Sequence, residues 1–425
     1  MEENSWFKPR HYLHFDRPVG LKAAVMYVSD PRKVSEHSFY PFIRNATVSR
    51  KIKYHSVLRV FEVLEKMRPI SYAAHMDSNI YAYYSSLLSL KYEEKLQAYG
   101  LHTSVLAFRS LDGQSNIHHA NNAFQEIKAR RECSVLCFDI EKFFDRLSHN
   151  ILKRVWQEII DEATLPDDHY AVFKAITKYS CVSRVEAFKA LGISVHNPTV
   201  VDKRLCSAKE FRTLIRNNKL VTPNSDKYGI PQGSPISAIL SNMYMLSFDR
   251  AILHHLSTTE SVYYRYCDDI MIICPPGAED DIEEFVEQEI KKISLNIQDK
   301  KTDIQQFILD SSGKLQARKP IQYLGFMFDG ERTFIRPASL TRYYKKMKVR
   351  VGLAKKAKDR VNVLRRSRGE TDKDLFLRAI YKGYTHLGRR NFITYGYRAA
   401  KIMNSKTIRQ QLRGHWRKVC QEISL

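Results

Sequence analysis

The strongest constraint on this chain is a five-residue run at 134–138 (Ser-Val-Leu-Cys-Phe) that is almost uniformly apolar and stops at Asp139. A run of that kind reads as a strand buried on both faces, so other elements must wrap around it. A carboxylate therefore ends a core strand. Beyond it Ile151, Leu152, Val155, Trp156, Ile159 and Ile160 recur on one helical face, which gives a unit of strand, acidic turn and helix. A second acidic spot lies at Cys267-Asp268-Asp269, between the β-prone runs 262–266 and 270–274, and reads as a hairpin with its acids at the tip.

If Asp139 and Asp268-Asp269 converge on one edge of one sheet, they form three carboxylates that no basic residue neutralises locally. Mg²⁺ takes carboxylate oxygens together with substrate phosphates, and a pair of such ions stabilises the attacking and leaving oxygens of phosphoryl transfer. Nucleotidyl transfer is the natural reaction. Taken singly, Asp268-Asp269 reads rather as an ordinary acidic turn and Asp139 as a helix N-cap. The combination favours the metal site.

The remaining pattern is that of a globular chain with several lobes. Its 425 residues are about three times a common domain, and 44% hydrophobic content suffices for a large core. No run reaches the length of a membrane span and the N-terminus lacks a signal-peptide stretch, so a cytosolic protein with no membrane partner is expected. The seven scattered cysteines form no C-x-x-C pair, which indicates neither a disulfide framework nor a zinc site. A net charge of +23 favours a polyanion. Residues 341–425 hold 24 Lys and Arg against five Asp and Glu, leaving only +4 for the 340 residues before them. Nucleic acid is the leading partner.

Up to about residue 49 the sequence has no clear period and reads as an N-terminal extension. Residues 51–95 suggest two helical stretches flanking an extended Arg68-Pro69-Ile70-Ser71-Tyr72 segment. Residues 161–228 read as an insertion of helices and loops. Residues 229–237 form a turn-rich loop before an apolar helix, and a helix from about Asp280 to Lys292 follows the acidic hairpin. A last hairpin is expected from one strand at 323–328, turning at Asp329-Gly330 into 333–335, with basic helices after Arg336. The fold class is α+β.

Three motifs then converge on one family. Phe138-Asp139-Ile140-Glu141-Lys142-Phe143-Phe144-Asp145 resembles the first palm motif of reverse transcriptases, Gly229-Ile230-Pro231-Gln232-Gly233-Ser234-Pro235 their nucleotide-pocket loop, and Tyr266-Cys267-Asp268-Asp269 their Y-x-D-D hairpin. Tyr323-Leu324-Gly325-Phe326 is similar to the primer grip, and the resemblance covers roughly residues 50–336. It implies a right-hand polymerase with an antiparallel palm sheet and a basic all-helical thumb. The implied division is an extension at 1–49, fingers at 50–130, palm at 131–336 with the insertion at 161–228, and thumb at 337–425.

Carried over by position, Asp139, Asp268 and Asp269 are the catalytic residues, and with the Ile140 backbone carbonyl they would hold two Mg²⁺ ions, for which Mn²⁺ can substitute. Phe144 would bar a 2′-hydroxyl and so select deoxynucleotides. Gln232 and Gly233 would meet the nascent base pair. Arg68 and Arg109 resemble cations of the triphosphate channel, although each is equally readable as a surface or buried-pair arginine. Lys301 resembles the lysine near the leaving pyrophosphate, and Tyr323, Leu324 and Gly325 would form the primer grip. The implied partners are dNTPs, an RNA template, the cDNA product and the RNA–DNA heteroduplex.

Within the family, group II intron enzymes continue into DNA-binding regions, diversity-generating enzymes depart from the Gln232-Gly233 loop, and retron enzymes carry an Asn-Ala-x-x-His signature not found here. The sequence is most similar to the bacterial defence-associated, formerly unassigned enzymes, and within them to the type 2 class. That implies a cytoplasmic bacterial protein that copies a structured noncoding RNA repeatedly in antiphage defence. A template-free synthase of the abortive-infection kind and a non-catalytic RNA scaffold are the alternatives.

Overall fold

The five-residue apolar run lies at the centre of the molecule's largest sheet. In the computed structural model, which describes residues 4–55, 59–200, 202–298 and 302–425, it forms the strand Cys133–Asp139. The chain divides into two compact units, one made of residues 1–109, 140–255 and 285–297, the other of residues 110–139, 256–284 and 298–425.

The second unit holds the five-stranded sheet. Cys133–Asp139 is flanked by Asp269–Cys274 on one side and Asp303–Leu309 on the other, both antiparallel, with Val262–Tyr266 and Leu315–Ala317 outside them. A strand with neighbours on both edges and side chains covered on both faces needs apolar residues throughout, which explains why residues 133–136 and 270–274 are buried without alternation. Beneath the sheet the helix Asn116–Arg130 contributes Ile117, Ala120, Phe124 and Ile127 to the core.

A three-stranded antiparallel sheet follows, Ile321–Tyr323, Phe326–Phe328 and Thr333–Ile335. The single strand expected over 323–328 is therefore two strands. Leu324 at φ 47° and Gly325 at φ 92° make the two-residue turn, a backbone form whose hand matches strand twist. The lobe ends in the helices Pro337–Arg366, Arg378–Tyr384, Phe392–Ile402, Lys406–Arg413 and His415–Ser424, as the basic tail suggests.

The first unit is built on a four-stranded sheet and a long helix, His75–Ala98. The stretch expected to be helical from residue 51 up to Arg68 is instead part of a long antiparallel ribbon, Phe42–His55 paired with Val60–Tyr72, while residues 68–72 are extended and the following stretch helical as expected. Val60, Phe61, Val63 and Met67 all stay more than half exposed, so no buried helix face exists to reward helical spacing, and β-branched residues settle into paired strands. The 161–228 segment contains helices Asp167–Thr177 and Arg184–Ala190, and also the strand Ser180–Ser183, parallel to the start of the ribbon.

Residues before 49 anchor this unit. The Asp16 carboxylate accepts hydrogen bonds from the backbone N–H of His75 at 2.9 Å and Met76 at 3.0 Å, capping the long helix where Ala74 cannot. Buried Asp77 in turn accepts from the Tyr40 N–H at 2.9 Å and pairs with His37 at 2.8 Å.

Candidate active site

In the second unit, strand register places Asp139 directly opposite Asp269. Cross-strand partners stand about 5 Å apart at Cβ on one face of a sheet. The turn joining Tyr266 to Asp269 has only Cys267 and Asp268, so Asp268 sits one residue from that pair. All three acids thus reach one sheet edge. Cys267 takes φ 62°, a left-handed form that reverses the chain in two residues. Burial pushes the Cys267 thiol far up, and the Asp268 charge adds to the shift, so it is no thiolate nucleophile.

Beneath the turn lies a residue that the sequence reading passed over. Arg265 is wholly buried, and its Nη1 donates to the Cys267 carbonyl oxygen at 3.2 Å. A guanidinium supporting the peptide that precedes Asp268 fixes the turn from below. Its position inside a β-run between two tyrosines carries no spacing signal.

The donor set suits a hard cation. Among the described residues no three His, Cys, Asp or Glu side chains close around one point as a preformed metal cage. Mg²⁺ does not need one, because it is held by one or two carboxylates together with water and substrate phosphates. Asp139 and Asp269, paired across the ladder with Asp268 beside them, provide that number and chemistry of oxygens.

In the first unit, Phe144 and the 229–235 loop are drawn together by backbone hydrogen bonds. The Ile230 N–H donates to the Phe144 carbonyl at 2.9 Å, and the Gly229 N–H to the Leu147 carbonyl at 2.8 Å. Phe143 points into the core at 3% exposure, whereas Phe144 is half-buried with its ring 5.5 Å from that of Phe143. Only the second ring is accessible to a ligand. Ile140, 2% exposed, bridges to Ile297, and Glu141 N–H donates to Asn296 O at 2.9 Å.

The loop also hooks onto the ribbon, since the Ser71 N–H donates to the Gln232 carbonyl at 2.7 Å. That contact explains Gly233. At φ 107° its backbone is one that side chains rarely adopt, and an added Cβ would lie 2.5 Å from the Ser71 carbonyl oxygen. The glycine answers to the fold as well as to any ligand. His149, another residue the sequence did not flag, places Nε2 2.8 Å from the Gly229 carbonyl. Arg68 lies exposed on the same strand as Ser71.

Two expectations change. Arg109 does not line an open channel; its side chain is 3% exposed and clamps Glu93 through Nε at 2.8 Å and Nη2 at 2.6 Å. Tyr323 is buried at 3% exposure, in the core with Val135 and Met271, so the grip's accessible part is the Leu324-Gly325 turn. That turn is held by Asn116, whose Nδ2 donates to Leu324 O at 3.2 Å and lies 2.9 Å from the Tyr395 hydroxyl. Lys301 lies outside the described residues.

Among solved structures the chain is similar to an apo telomerase from Candida tropicalis truncated from its C-terminal domain, at 13% identity and TM-score 0.42, covering 69% of this chain and 57% of that one. It is also similar to a telomerase from Candida albicans in complex with a TWJ fragment of telomeric RNA, at 11% identity and TM-score 0.39, covering 95% and 68%. The chain thus spans little more than half the length of the first of these. No curated protein matches it. The family model described as reverse transcriptase (RNA-dependent DNA polymerase) matches residues 62–328, a span that contains the acid-ended strand, the glycine loop and the acidic hairpin in that order. With that match over more than half of its length, the chain belongs to the reverse transcriptase family.

Proposed function

We propose that this protein is an RNA-directed DNA polymerase that extends a primer with deoxynucleotides on an RNA template. The observation that carries the reading is the pairing of Asp139 with Asp269, with Asp268 in the adjoining turn. When bound, two divalent ions supply charge stabilisation at the attacking and leaving oxygens. The acids of the second unit would hold them; in the first unit Phe144 would stand against a 2′-hydroxyl and the Gln232-Gly233 peptide would border an incoming base. Arg68, exposed on its strand, would meet the triphosphate. The +19 helical segment clamps the RNA–DNA heteroduplex through phosphates, by shape rather than sequence.

At finer grain, the protein serves bacterial antiphage defence in the cytoplasm, as a member of the type 2 class that copies one structured noncoding RNA repeatedly. The support is the sequence resemblance, the unbroken set of acids and the +19 charge of residues 341–425.

Primer extension with Mg²⁺, dNTPs and a defined RNA template tests the activity, and sequencing of co-purifying RNA tests the template. Templated cDNA that disappears in Asp268→Asn, with one RNA enriched, is the expected result. Synthesis that persists without template would replace it with the template-free reading. RNA retention with no synthesis from any primer would leave a scaffold.

A further inference from the structure

The last lobe holds a concentration of charge that the acidic site does not use. A cavity of about 740 Å³ opens among the helices Pro337–Arg366, Arg378–Tyr384 and Phe392–Ile402. Arg342, Lys346, Lys382, Arg389 and Arg390 line it, and no carboxylate does. Arg342 turns back along its own helix, its Nε donating to Ala338 O at 3.2 Å. Among the described residues Lys346, Lys382, Arg389 and Arg390 have no ion-pair partner. Five like charges converging on one hollow repel each other, an arrangement that an incoming anion relieves.

The frame is preorganised. Arg389 and Arg390 sit on a turn that Asn391 ties down, its Nδ2 donating to Lys382 O at 3.0 Å and Thr385 O at 2.8 Å. A Cβ at Gly388 would lie 1.9 Å from Lys382 O, so the chain passes there without a side chain. Arg390 is held at φ 56°, the kind of backbone that persists where surrounding structure imposes it. The floor is aromatic: Tyr343 stacks on Phe392 with ring centroids 4.9 Å apart and donates its hydroxyl to Tyr384 O at 2.6 Å.

We propose that this cavity captures one or two nucleotides of single-stranded RNA, phosphates among the five cations and a base against Phe392. Cations around an aromatic platform are the chemistry of single-strand recognition. The volume is that of a pocket for a small ligand, and the convex backbone of a duplex cannot enter a hollow of that size. The inference rests on the reading of the chain as an RNA-binding polymerase, and adds to duplex clamping a separate seat for an unpaired segment. A free nucleoside triphosphate shares the chemistry, and the test separates the two.

The test is fluorescence anisotropy on the full chain with a labelled single-stranded RNA dodecamer and with a blunt RNA–DNA duplex, over a salt series. Two variants probe the pocket, Arg389→Gln/Arg390→Asn, where Asn tolerates the left-handed backbone, and Lys346→Gln/Lys382→Gln. Exposed Lys356→Gln/Arg360→Gln, elsewhere on the long helix, removes equal charge as a control. Each pocket variant is expected to weaken single-strand binding about tenfold and to lower its salt slope by about 1.4, the value for two phosphate contacts, while duplex binding changes less than about twofold. Equal losses in the control would reduce the effect to diffuse charge and overturn the assignment. Losses as large on the duplex, or displacement of the dodecamer by micromolar dATP, would overturn it in favour of a duplex grip or a nucleotide site. Binding requires no synthesis, so primer extension on the same preparations reports the polymerase reading separately. Extension with unaltered binding in the pocket variants sinks the pocket alone. Variant-sensitive binding with no extension sinks the polymerase alone.

Discussion

The acidic hairpin and the glycine loop are two motif-bearing turns of this member of the reverse transcriptase family, and they are held in opposite ways. The hairpin belongs to a ladder running from the Ser134–Cys274 pair to the Asp139–Asp269 pair, so many backbone hydrogen bonds share the task of placing the acids. The loop has no ladder. It hangs on single links: Gly229 to Leu147, Ile230 to Phe144, Ser71 to Gln232, His149 to Gly229, and Ser237 Oγ to Pro231 O at 2.7 Å. Placement by register tolerates the loss of any one neighbour, whereas placement by point contacts does not. The hairpin should therefore be sensitive chiefly at its reacting groups, and the loop at residues that never meet substrate.

The largest expected effect is on chemistry. Asp139→Asn or Asp268→Asn removes a carboxylate charge at nearly constant shape, and extension should fall by about 10³-fold or more with little change in thermal unfolding. A loss of stability equal to the loss of activity would show instead that the acids hold the sheet together. Next comes Gly233→Ala. The added Cβ meets the Ser71 carbonyl at 2.5 Å on a backbone of φ 107°, so the loop must shift, and a displacement of about 1 Å costs about 10²-fold in rate. Activity within twofold of wild type would mean that the link to Ser71 does not position the loop.

The third effect probes a point contact within the ladder-held hairpin. Arg265→Met removes the wholly buried guanidinium that supports the Cys267 carbonyl, and should destabilise the protein by about 1.5–3 kcal/mol, the contribution of a hydrogen bond to a charged group. Extension should fall about tenfold beyond what stability explains, since hydrogen bonds to charged groups contribute about 1.5–3 kcal/mol. Arg265→Lys should recover part of the stability and less of the rate, because an ammonium lacks the planar fork. Chemical denaturation and single-turnover extension measured together decide it. Equal recovery of both would make Arg265 a packing residue only.

What the sequence made legible follows the same division. The acids were readable because buried strands and their turns are written locally, in uninterrupted apolar runs and a two-residue gap. Arg265 was not, because nothing in a β-run marks a buried cation. Arg109 is readable from sequence either as a channel cation or as half of a buried pair for a related reason: its partner Glu93 lies sixteen residues away, and an isolated cation carries no spacing signature. The strand at 323–328 reads as unbroken because Leu324 is no turn former. Asn116, more than two hundred residues earlier, holds that turn's carbonyl. Residues before 49 had no period to read, since the contribution of Asp16 is to cap a helix that begins at His75.

The smallest expected effect is one of pH, and of the two turns it falls on the loop. Burial, first of all, lowers the pKa of His149, while the hydrogen bond to the Gly229 carbonyl works in the other direction. Nε2 therefore carries the proton that is donated to that carbonyl in the neutral ring, and buried Nδ1 has no partner to offer a second one. A histidine whose folded pKa lies below its unfolded value near 6.5 contributes stability that is fully present above about pH 6.5 and is lost as pH falls toward the folded value. Other buried histidines, among them His14, whose pKa is held down at about 3, titrate in the same direction. The wild-type profile alone therefore assigns nothing, and the difference between wild type and His149→Gln does. Glutamine can donate the same hydrogen bond without titrating, so the two proteins should be close in extension rate at pH 8. Near pH 5.5 wild type should have lost a few-fold more, with denaturation midpoints diverging in step. Parallel profiles would show that the Gly229 link tolerates a protonated ring, and that the loop is held chiefly by Phe144, Leu147 and Ser71.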